Sequence, residues 1–397
     1  MPDALPVLRR TRFVCISDTH NACPGGAFKL PKGDVLIHAG DMTNQGSYLE
    51  LKRTIDWLEE ADFEKKIVIA GNHDITLDTE FYAQHGHNFH NQTSQDPVQC
   101  QELLKRSSTI TWLRHESAVI KLTFPAGPRT RFKIFGSPYS PAEGLWAFGY
   151  CGDEAEGLWS QIPLDADIVL THTPPRSHLD ERKGQTPVGC VSLRKALWRV
   201  RPRLAICGHV HDGRGAERIR WDLDVSDMKY KEETVEKWTD PGAGNKKMSL
   251  VDLTLKGRNP IANKGRIGDS LAVPPEEMAP SLHFGGYALE EIYESGSSAK
   301  NTTLPAALPP ANHGRGGLAT SQTCDVEGLS RRLGRRETCI INAAIAASNY
   351  PHTEGRKFHK PIVVDIDLPI WSIEDRETSR HRLHQSSKTS FTDLQLE

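Results

Sequence analysis

An apolar run ends abruptly in a Gly-Asp turn in the stretch DVLIHAGDMT, residues 34–43. A run that is apolar at every position is typical of a strand buried on both faces of a parallel sheet. The residues that follow predict a helix, because a Ser-x-x-Glu capping box at 47–50 precedes apolar residues that recur on one face through 51–58. A further apolar run at 67–70 completes strand, helix and strand, the βαβ unit of a layered α/β fold.

The same pattern, a strand-like run closed by a polar turn, occurs five times along the chain. The runs occupy residues 13–17, 35–39, 67–70, 168–170 and 204–207. The turns that close them hold Asp18-Thr-His20, Gly40-Asp41, Gly71-Asn72-His73-Asp74, Thr171-His172 and Gly208-His209-Val210-His211. Ligands of α/β sheets gather at the carboxyl ends of strands, so we expect these five turns to converge on one point.

The residue types in these turns are metal donors. Asp, Asn and His supply the oxygen and imidazole ligands that bind manganese, iron, zinc or magnesium. Each motif alone is weak, since Gly-Asp is an ordinary turn sequence and a single His172 more often closes a strand than binds an ion. Five such motifs, each after a predicted strand, indicate a functional metal site. Glycine before Asp41, Asn72 and His209 lets the backbone turn tightly out of each strand.

Taken together, the motifs resemble the signature of the calcineurin-like metallophosphoesterase superfamily. The signature is complete here, and the resemblance covers about residues 12–220 and, more weakly, 337–371. It implies an α/β fold in which two sheets form a four-layer αββα sandwich with the metals at its edge. It also implies phosphate ester hydrolysis.

The resemblance implies a division of the ligands between the metals. One metal would be held by Asp18, His20 and His211. The other would be held by Asn72, His172 and His209, with Asp41 bridging the two. In such sites, metals about 3.5–4 Å apart neutralise phosphate oxygens and lower the pKa of a shared water from about 15.7 toward roughly 7, which gives hydroxide at neutral pH.

Two residues beside the ligands are further candidates. His73 follows a ligand, and we expect it to protonate the leaving oxygen or stabilise its charge. Asp74 has two interpretations, either a carboxylate that orients a neighbouring imidazole or a helix cap.

Further segments resemble the metallophosphoesterase domain-containing protein branch of the superfamily. They read FGSPY at 135–139, THTPP at 171–175, VGC at 188–190 and GHVHDGRG at 208–215. Some relatives in that branch have lost the first histidine of the last motif and are weak enzymes, whereas this chain keeps it as His209.

The resemblance to this branch also predicts where in the sequence the last strands of the domain lie. Its members finish the sandwich soon after the last motif, but the counterparts here, at 339–344 and 361–368, lie more than a hundred residues downstream. The domain is therefore expected to be discontinuous, comprising 12–220 and 337–371. Residues 221–335 would form a partly disordered insertion and residues 374–397 a disordered tail.

Composition narrows the class of protein. The 397-residue chain has a formal net charge of −2, so no overall field attracts nucleic acid or an anionic membrane. Its apolar fraction of 37% indicates that part of the length lies outside a packed core. We expect no membrane span and no signal peptide, because no run approaches about 20 apolar residues and residues 1–12 are insufficiently apolar. The eight cysteines form no Cys-x-x-Cys pair, which excludes a zinc finger and is typical of reduced thiols in a cytoplasmic protein.

The basic run at 331–336 is a nuclear-import signal, a patch for an acidic partner or an exposed loop, so a nuclear location stays open.

The residues that adjoin the motifs indicate which class of substrate the protein acts on. Calcineurin-type protein phosphatases carry Arg before Gly-Asn-His and Asp-Arg-Gly after the second motif, where this chain has Ala70 and MTNQG at 42–46. The Gly-Asp-x-Thr form at 40–43 fits cyclic-nucleotide phosphodiesterases and is shared with other hydrolases of small esters. A nuclease would be expected to have a basic, aromatic-lined surface. A basic cluster fits such a surface, and a solvated helix face explains it equally well; it comprises Arg194, Lys195, Arg199, Arg201 and Arg203.

We therefore expect a phosphodiesterase acting on a small phosphodiester or nucleotide, with neither nucleic acid nor membrane as partner. The alternative is a weakly active or non-catalytic module that binds nucleotide or phosphate and has a regulatory or scaffold role. A protein partner of the 221–335 insertion stays open.

Overall fold

The computed structural model describes residues 7–182, 186–222, 230–257, 260–261, 335–348 and 355–371. Fifteen strands occur in these ranges: β1 Leu8–Ile16, β2 Val35–Ala39, β3 Lys65–Ile69, β4 Ile110–Trp112, β5 Glu116–Lys121, β6 Arg131–Ser137, β7 Ser140–Pro141, β8 Gly149–Tyr150, β9 Ile168–Thr171, β10 Leu204–Cys207, β11 Gly215–Trp221, β12 Glu232–Lys237, β13 Ser249–Asp252, β14 Glu337–Asn342 and β15 Ile362–Pro369. Five α-helices accompany them: α1 Tyr48–Glu60, α2 Thr79–Phe89, α3 Pro97–Lys105, α4 Ala155–Ser160 and α5 Val191–Val200. Two single 3₁₀ turns occupy Ile75–Leu77 and His211–Gly213.

Two mixed sheets form the centre of the molecule. The first has six strands in the order β13-β15-β1-β2-β3-β4, and the second has seven in the order β12-β11-β14-β10-β9-β6-β5. Strands β1, β2 and β3 run parallel to one another in the first sheet, as do β6, β9, β10 and β14 in the second. All five predicted apolar runs are strands of these parallel blocks.

Three apolar layers show that the sheets and helices stack as a four-layer αββα sandwich. The layer between the sheets joins side chains of both, such as Phe13 and Ile67 from the first and Leu170 and Ile206 from the second. A second layer lies between the first sheet and helices α1 and α3, and a third between the second sheet and α4 and α5. Strands covered on both faces have no solvent side, which explains why their sequences are apolar without alternation.

Helix α1 begins at the predicted capping box. The Ser47 hydroxyl accepts a hydrogen bond from the Glu50 N–H, and the Glu50 carboxylate accepts one from the Ser47 N–H at 2.9 Å. The helix buries Leu51, Ile55 and Leu58 against the first sheet. Burial of each such side chain contributes about 1.5–3 kcal/mol, so packing rather than helix propensity fixes the helix in place.

The late strands lie inside the sheets. Strand β14 pairs with both β10 and β11, and β15 pairs with β1 over eight residues. Within the range predicted as an insertion, β12 and β13 extend one edge of each sheet. Residues 223–229, 258–259 and 262–334 of that range, like the tail 374–397, lie outside the described part of the chain, so the disorder predicted for them stays a prediction.

Basic residues expected on a solvated surface are largely engaged instead. Arg201 is 2% exposed and donates to the backbone carbonyls of Arg335 and Trp198. Arg199 donates to the carbonyl oxygens of Trp159 and Ser160 at the end of helix α4 and of Ile162 just beyond it. Arg335 is itself buried against Asp167. The solvated-face interpretation of 194–203 was therefore wrong for these positions, because the guanidinium groups tie chain segments together.

The seven cysteines in the described part of the chain are free thiols. Among the helices that the structure describes, none has the length and apolar character needed to cross a membrane.

Candidate metal centre

The five polar turns predicted from the sequence meet at one edge of the sandwich. They follow the carboxyl ends of β1, β2 and β3 in the first sheet and of β9 and β10 in the second. Backbone hydrogen bonds join the turns, because Asp18 donates to the Gly40 carbonyl and Gly208 donates to the His172 carbonyl. The parallel topology of both sheets thus places all five turns side by side.

One group of donors lies where the first and last turns meet. It comprises Asp18, His20 and His211. The two imidazole Nε2 atoms are 3.3 Å apart, and His211 Nε2 is 3.5 Å from Asp18 Oδ1. Asp18 is completely buried, whereas the two histidines are partly exposed.

A second group lies beside it, around Asn72. The Asn72 amide oxygen is 3.0 Å from His172 Nε2 and 2.9 Å from His209 Nδ1. Asp41 completes this group, with its Oδ1 atom 3.4 Å from His172 Nε2.

Asp41 stands between the two groups. Its Oδ1 atom faces His172 at 3.4 Å, and its Oδ2 atom faces His20 at 3.8 Å. One carboxylate therefore presents an oxygen to each group, which is the arrangement a bridging ligand requires.

Hydrogen bonds to backbone carbonyls orient the imidazoles. His172 Nδ1 lies 2.8 Å from the Ala39 carbonyl oxygen, and His20 Nδ1 lies 3.2 Å from that of Thr43. A carbonyl only accepts, so we assign the proton to Nδ1 in both rings. In the metal-binding form both rings are neutral and direct their Nε2 lone pairs at the site, where His172 Nε2 faces another acceptor, the Asn72 oxygen. Carbonyl-held imidazoles of this kind are characteristic of metal ligands, and a cation between the acceptors removes their repulsion.

The charges of the site favour a bound cation. Burial lowers the pKa of His20 and of His209 to about 4, so both rings are neutral ligands at pH 7. Burial opposes ionisation of Asp41, but neighbouring histidines, His172 foremost, hold its pKa well below its usual range. Burial also lowers the pKa of His172, but the charges of Asp41 and Asp18 outweigh it and raise that pKa to about 9. Buried carboxylates need positive charge beside them, and divalent ions supply it, so this donor set fits the two metals that the signature implies.

The backbone at the site is held in left-handed conformations that non-glycine residues rarely adopt. The φ angles are 53° at Asp18, 43° at His20, 52° at Asp41 and 68° at His209. Such strain concentrates at functional sites, where the surrounding structure maintains it. Gly71 contributes in a different way, because a Cβ atom there would collide with the Asp41 carboxylate.

His73 lies beside the two groups. Its backbone N–H donates to Asp41 Oδ1 at 2.9 Å, and its ring Nδ1 lies 2.8 Å from the Asn44 carbonyl oxygen. The indole of Trp146 packs on the imidazole, with ring centroids 4.0 Å apart and planes tilted by 32°. The ring is thus held from two directions.

A cleft of about 470 Å³ opens over the centre. Its floor is formed by site residues, and one wall by the loop between β7 and β8, including Glu143 and Trp146. Arg182 lies at the rim and pairs with Glu143. Sequence reasoning did not identify these three residues. The only available signal was a concentration of aromatic residues among Gly and Pro at 138–150, and no pattern marked Arg182 or Glu143.

Asp74 differs from both expectations. Its buried carboxylate accepts from the Met42, Thr43 and Gly71 N–H groups and from the Thr43 hydroxyl, at 2.7–3.2 Å. In the described structure these donors, and no imidazole, are its hydrogen-bond partners, so the proposed orienting role was wrong. Asp74 also precedes the 3₁₀ turn Ile75–Leu77 without a capping hydrogen bond from its side chain. The residue instead ties the Asn72 turn to the Asp41 turn. Burial, together with the charge of Asp41, raises its pKa to about 6.

The part of the chain that carries the candidate metal centre is similar in sequence to known proteins. Residues 11–213, slightly more than half of the chain, match the family model described as calcineurin-like phosphoesterase. A protein of Emericella nidulans named probable rhamnogalacturonate lyase C is 40% identical over 214 residues, which are 53% of this chain and 18% of that protein. Human metallophosphoesterase domain-containing protein 1 is 37% identical over 212 residues, 52% of this chain and 62% of that protein. The match thus spans less than two thirds of the length of either relative. The solved structure of TT1561 from Thermus thermophilus is similar at 13% identity and a TM-score of 0.31, over 53% of this chain and 84% of that one.

Proposed function

The chain belongs to the calcineurin-like phosphoesterase family of phosphate ester hydrolases, and from that premise we propose that it is a phosphodiesterase acting on a small phosphodiester or nucleotide. The observation that carries this proposal is the convergence of seven oxygen and nitrogen donors in two groups that share Asp41. The lyase name of the fungal relative supplies no activity for this chain, because the match covers only 18% of that protein.

Two divalent ions would be held by the two groups of donors. Asp18, His20 and His211 would bind one, and Asn72, His172 and His209 the other, with Asp41 shared. When bound, such ions neutralise the phosphate oxygens and acidify a water molecule that they share. The neutral state of His20 and His209 at pH 7 leaves their lone pairs free for this binding.

His73 would assist departure of the leaving group. The Asn44 carbonyl accepts a hydrogen bond from Nδ1–H, so the imidazolium form of His73 would donate its Nε2 proton to the leaving oxygen and return to the neutral Nδ1–H form. A donor of this kind matters most for a poor leaving group, such as the alkoxide of a ribose, because that oxygen gains the most charge when the P–O bond breaks.

Trp146 would act as a positioning residue for His73. Its ring stacks on the imidazole at 4.0 Å and packs against Phe89 at 5.3 Å. The loop that carries it is anchored by the buried cluster of Ile75, Tyr82 and Ala147. The indole thereby links the orientation of His73 to the rigid packing around helix α2.

The proposal is tested by hydrolysis of bis-p-nitrophenyl phosphate by the purified protein in the presence of manganese. Asp41→Ala, His172→Ala and His209→Ala should each abolish turnover, because each removes a donor of the second group. His87→Ala is the matched control, since His87 is exposed on helix α2 and outside the site. Full activity in all three variants would refute the two-metal mechanism. Tight nucleotide binding without turnover in any divalent metal would favour the non-catalytic alternative.

A further inference from the structure

An ion pair stands at the rim of the cleft. Arg182 and Glu143 form a two-pronged pair, with Nη1–Oε1 at 2.7 Å and Nη2–Oε2 at 2.8 Å. Glu143 belongs to the loop between β7 and β8, and Arg182 to the segment that follows His172. The pair therefore joins two loops that both border the candidate metal centre.

The pair is exposed enough to exchange partners. The Glu143 side chain is 62% exposed and that of Arg182 is 30% exposed. Exposed ion pairs contribute little to stability, so replacing the Glu143 carboxylate by another anion costs little. A guanidinium also matches phosphate geometry, because its planar fork donates two parallel hydrogen bonds.

Arg182 also places a positively charged side chain in the cleft. Among the described residues that line it, Arg182 is the only Lys or Arg, whereas Asp41, Glu143 and Asp212 are acidic. Arg182 lines the same cleft as His209 and His211 of the candidate metal centre. A substrate whose phosphodiester lies at the metal centre would thus have one fixed positive charge within reach of its remaining groups.

We propose that Arg182 forms an anion subsite that binds a second phosphate group on the substrate, with Glu143 occupying the arginine until substrate displaces it. This inference rests on the proposed phosphodiesterase function and narrows the substrate to phosphodiesters that carry an additional phosphate monoester. Glu143 keeps the guanidinium oriented while the cleft is empty of substrate and disfavours anions too weak to displace a carboxylate.

Two matched substrates test the subsite by kinetics. They are 2′,3′-cyclic AMP and the same molecule phosphorylated at its 5′ position, which differ only in the second anion. Arg182→Ala should raise KM for the phosphorylated substrate by about tenfold, the range expected for a charge-assisted contact at a partly exposed site, and change KM for the other less than about twofold. The value of kcat should stay near that of the wild type for both. Glu143→Gln should lower KM for the phosphorylated substrate by about two- to threefold, since it frees the arginine.

The two variants are expected to change KM for the phosphorylated substrate in opposite directions, which distinguishes an anion subsite from a purely structural ion pair. A pair that only holds the loops together is broken equally by Arg182→Ala and Glu143→Gln, so equal effects on both substrates would overturn the subsite. Arg182→Lys keeps the charge without the fork and should fall between the wild type and Arg182→Ala. This variant and Glu143→Gln carry the test if Arg182→Ala does not fold.

A binding measurement distinguishes failure of the subsite from failure of the proposed function. Calorimetric titration should show adenosine 3′,5′-bisphosphate binding more tightly than adenosine 5′-monophosphate, and Arg182→Ala should remove most of that difference. Absence of turnover together with this preference would reject the enzyme and retain the subsite. Equal affinities, or a preference unchanged in Arg182→Ala, would overturn the subsite whatever the activity.

Discussion

Replacing Gly40 with alanine is predicted to disable the candidate metal centre while leaving the fold intact. Gly40 joins β2 to Asp41 at φ +94°, and a Cβ atom there would lie 2.6 Å from His172 Nδ1 and 2.7 Å from the Ala70 carbonyl oxygen. Ordinary contact begins at 3.4 Å, so the imidazole would have to retreat by the difference, 0.8 Å. That movement also disturbs the 2.8 Å contact of His172 with the Ala39 carbonyl, which orients the ring.

The size of the effect follows from these contacts. Misplacing a group in an active site by about 1 Å costs roughly 10²-fold, so a shift of this size should lower kcat/KM by roughly 30- to 100-fold. An alanine in the left-handed region costs about 1–2 kcal/mol, and crowding against the Ala70 backbone adds about 1–3 kcal/mol. The free energy of unfolding should therefore fall by about 2–5 kcal/mol, which a domain of this size tolerates.

Gly244→Ala is the matched control. Gly244 has φ +66°, but no atom lies within 4 Å of the point that a Cβ atom would occupy, so the variant carries the backbone cost without the collision. Both variants would be compared by kcat/KM with bis-p-nitrophenyl phosphate and by urea unfolding. Activity of Gly40→Ala within threefold of Gly244→Ala would refute the reasoning.

Three further predictions concern His73, His178 and Asp74. Trp146→Ala should lower kcat by about tenfold for an ester with an alkyl leaving group and by less than about twofold for one that releases p-nitrophenolate, because the indole positions the His73 ring that protonates the leaving oxygen. Trp146→Phe should restore part of the lost activity. Equal losses with both esters would contradict this role. Burial lowers the pKa of His178, but the hydrogen bonds that its ring donates to the Glu217 and Glu232 carboxylates raise that pKa above its ordinary value. The stabilisation by His178 is therefore complete at pH values below the unfolded pKa and is lost as pH rises through the folded pKa. Urea unfolding should therefore show the wild type more stable than His178→Gln by roughly 1.5–3 kcal/mol at pH 5.5 and by clearly less at pH 9, whereas a pH-independent difference would exclude this linkage. Asp74→Ala removes the acceptor from buried N–H groups in two turns of the site. The free energy of unfolding, measured in urea, should therefore fall by about 2–4 kcal/mol. A loss below about 1 kcal/mol would show that these hydrogen bonds are not needed for stability.

The sequence was informative wherever burial or strand ends imposed a pattern. Continuous apolar runs predicted strands such as β2 and β10, because strands covered on both faces need apolar residues at every position. The turns after those strands were predicted to converge, and the structure brings Asp18, Asp41 and His172 together as expected from a parallel topology.

Contacts between distant loops were not predictable from local pattern. Trp146 stacks on His73 across 73 residues of chain, and Arg182 pairs with Glu143 across 39. Asp74 also differed from expectation, since only the folded structure shows which N–H groups surround its carboxylate. The arginines of helix α5 illustrate the same point, because carbonyl groups from another part of the chain bury side chains that look solvated in sequence.

The metal content of the purified protein tests the central claim most directly. After loading with manganese and removal of free metal by gel filtration, elemental analysis should give two ions per chain in the wild type. Asp41→Ala should retain one or none, because both groups of donors use that carboxylate. A wild-type protein that holds no manganese, zinc, iron or magnesium under these conditions, or an Asp41→Ala variant that still holds two ions, would contradict the account.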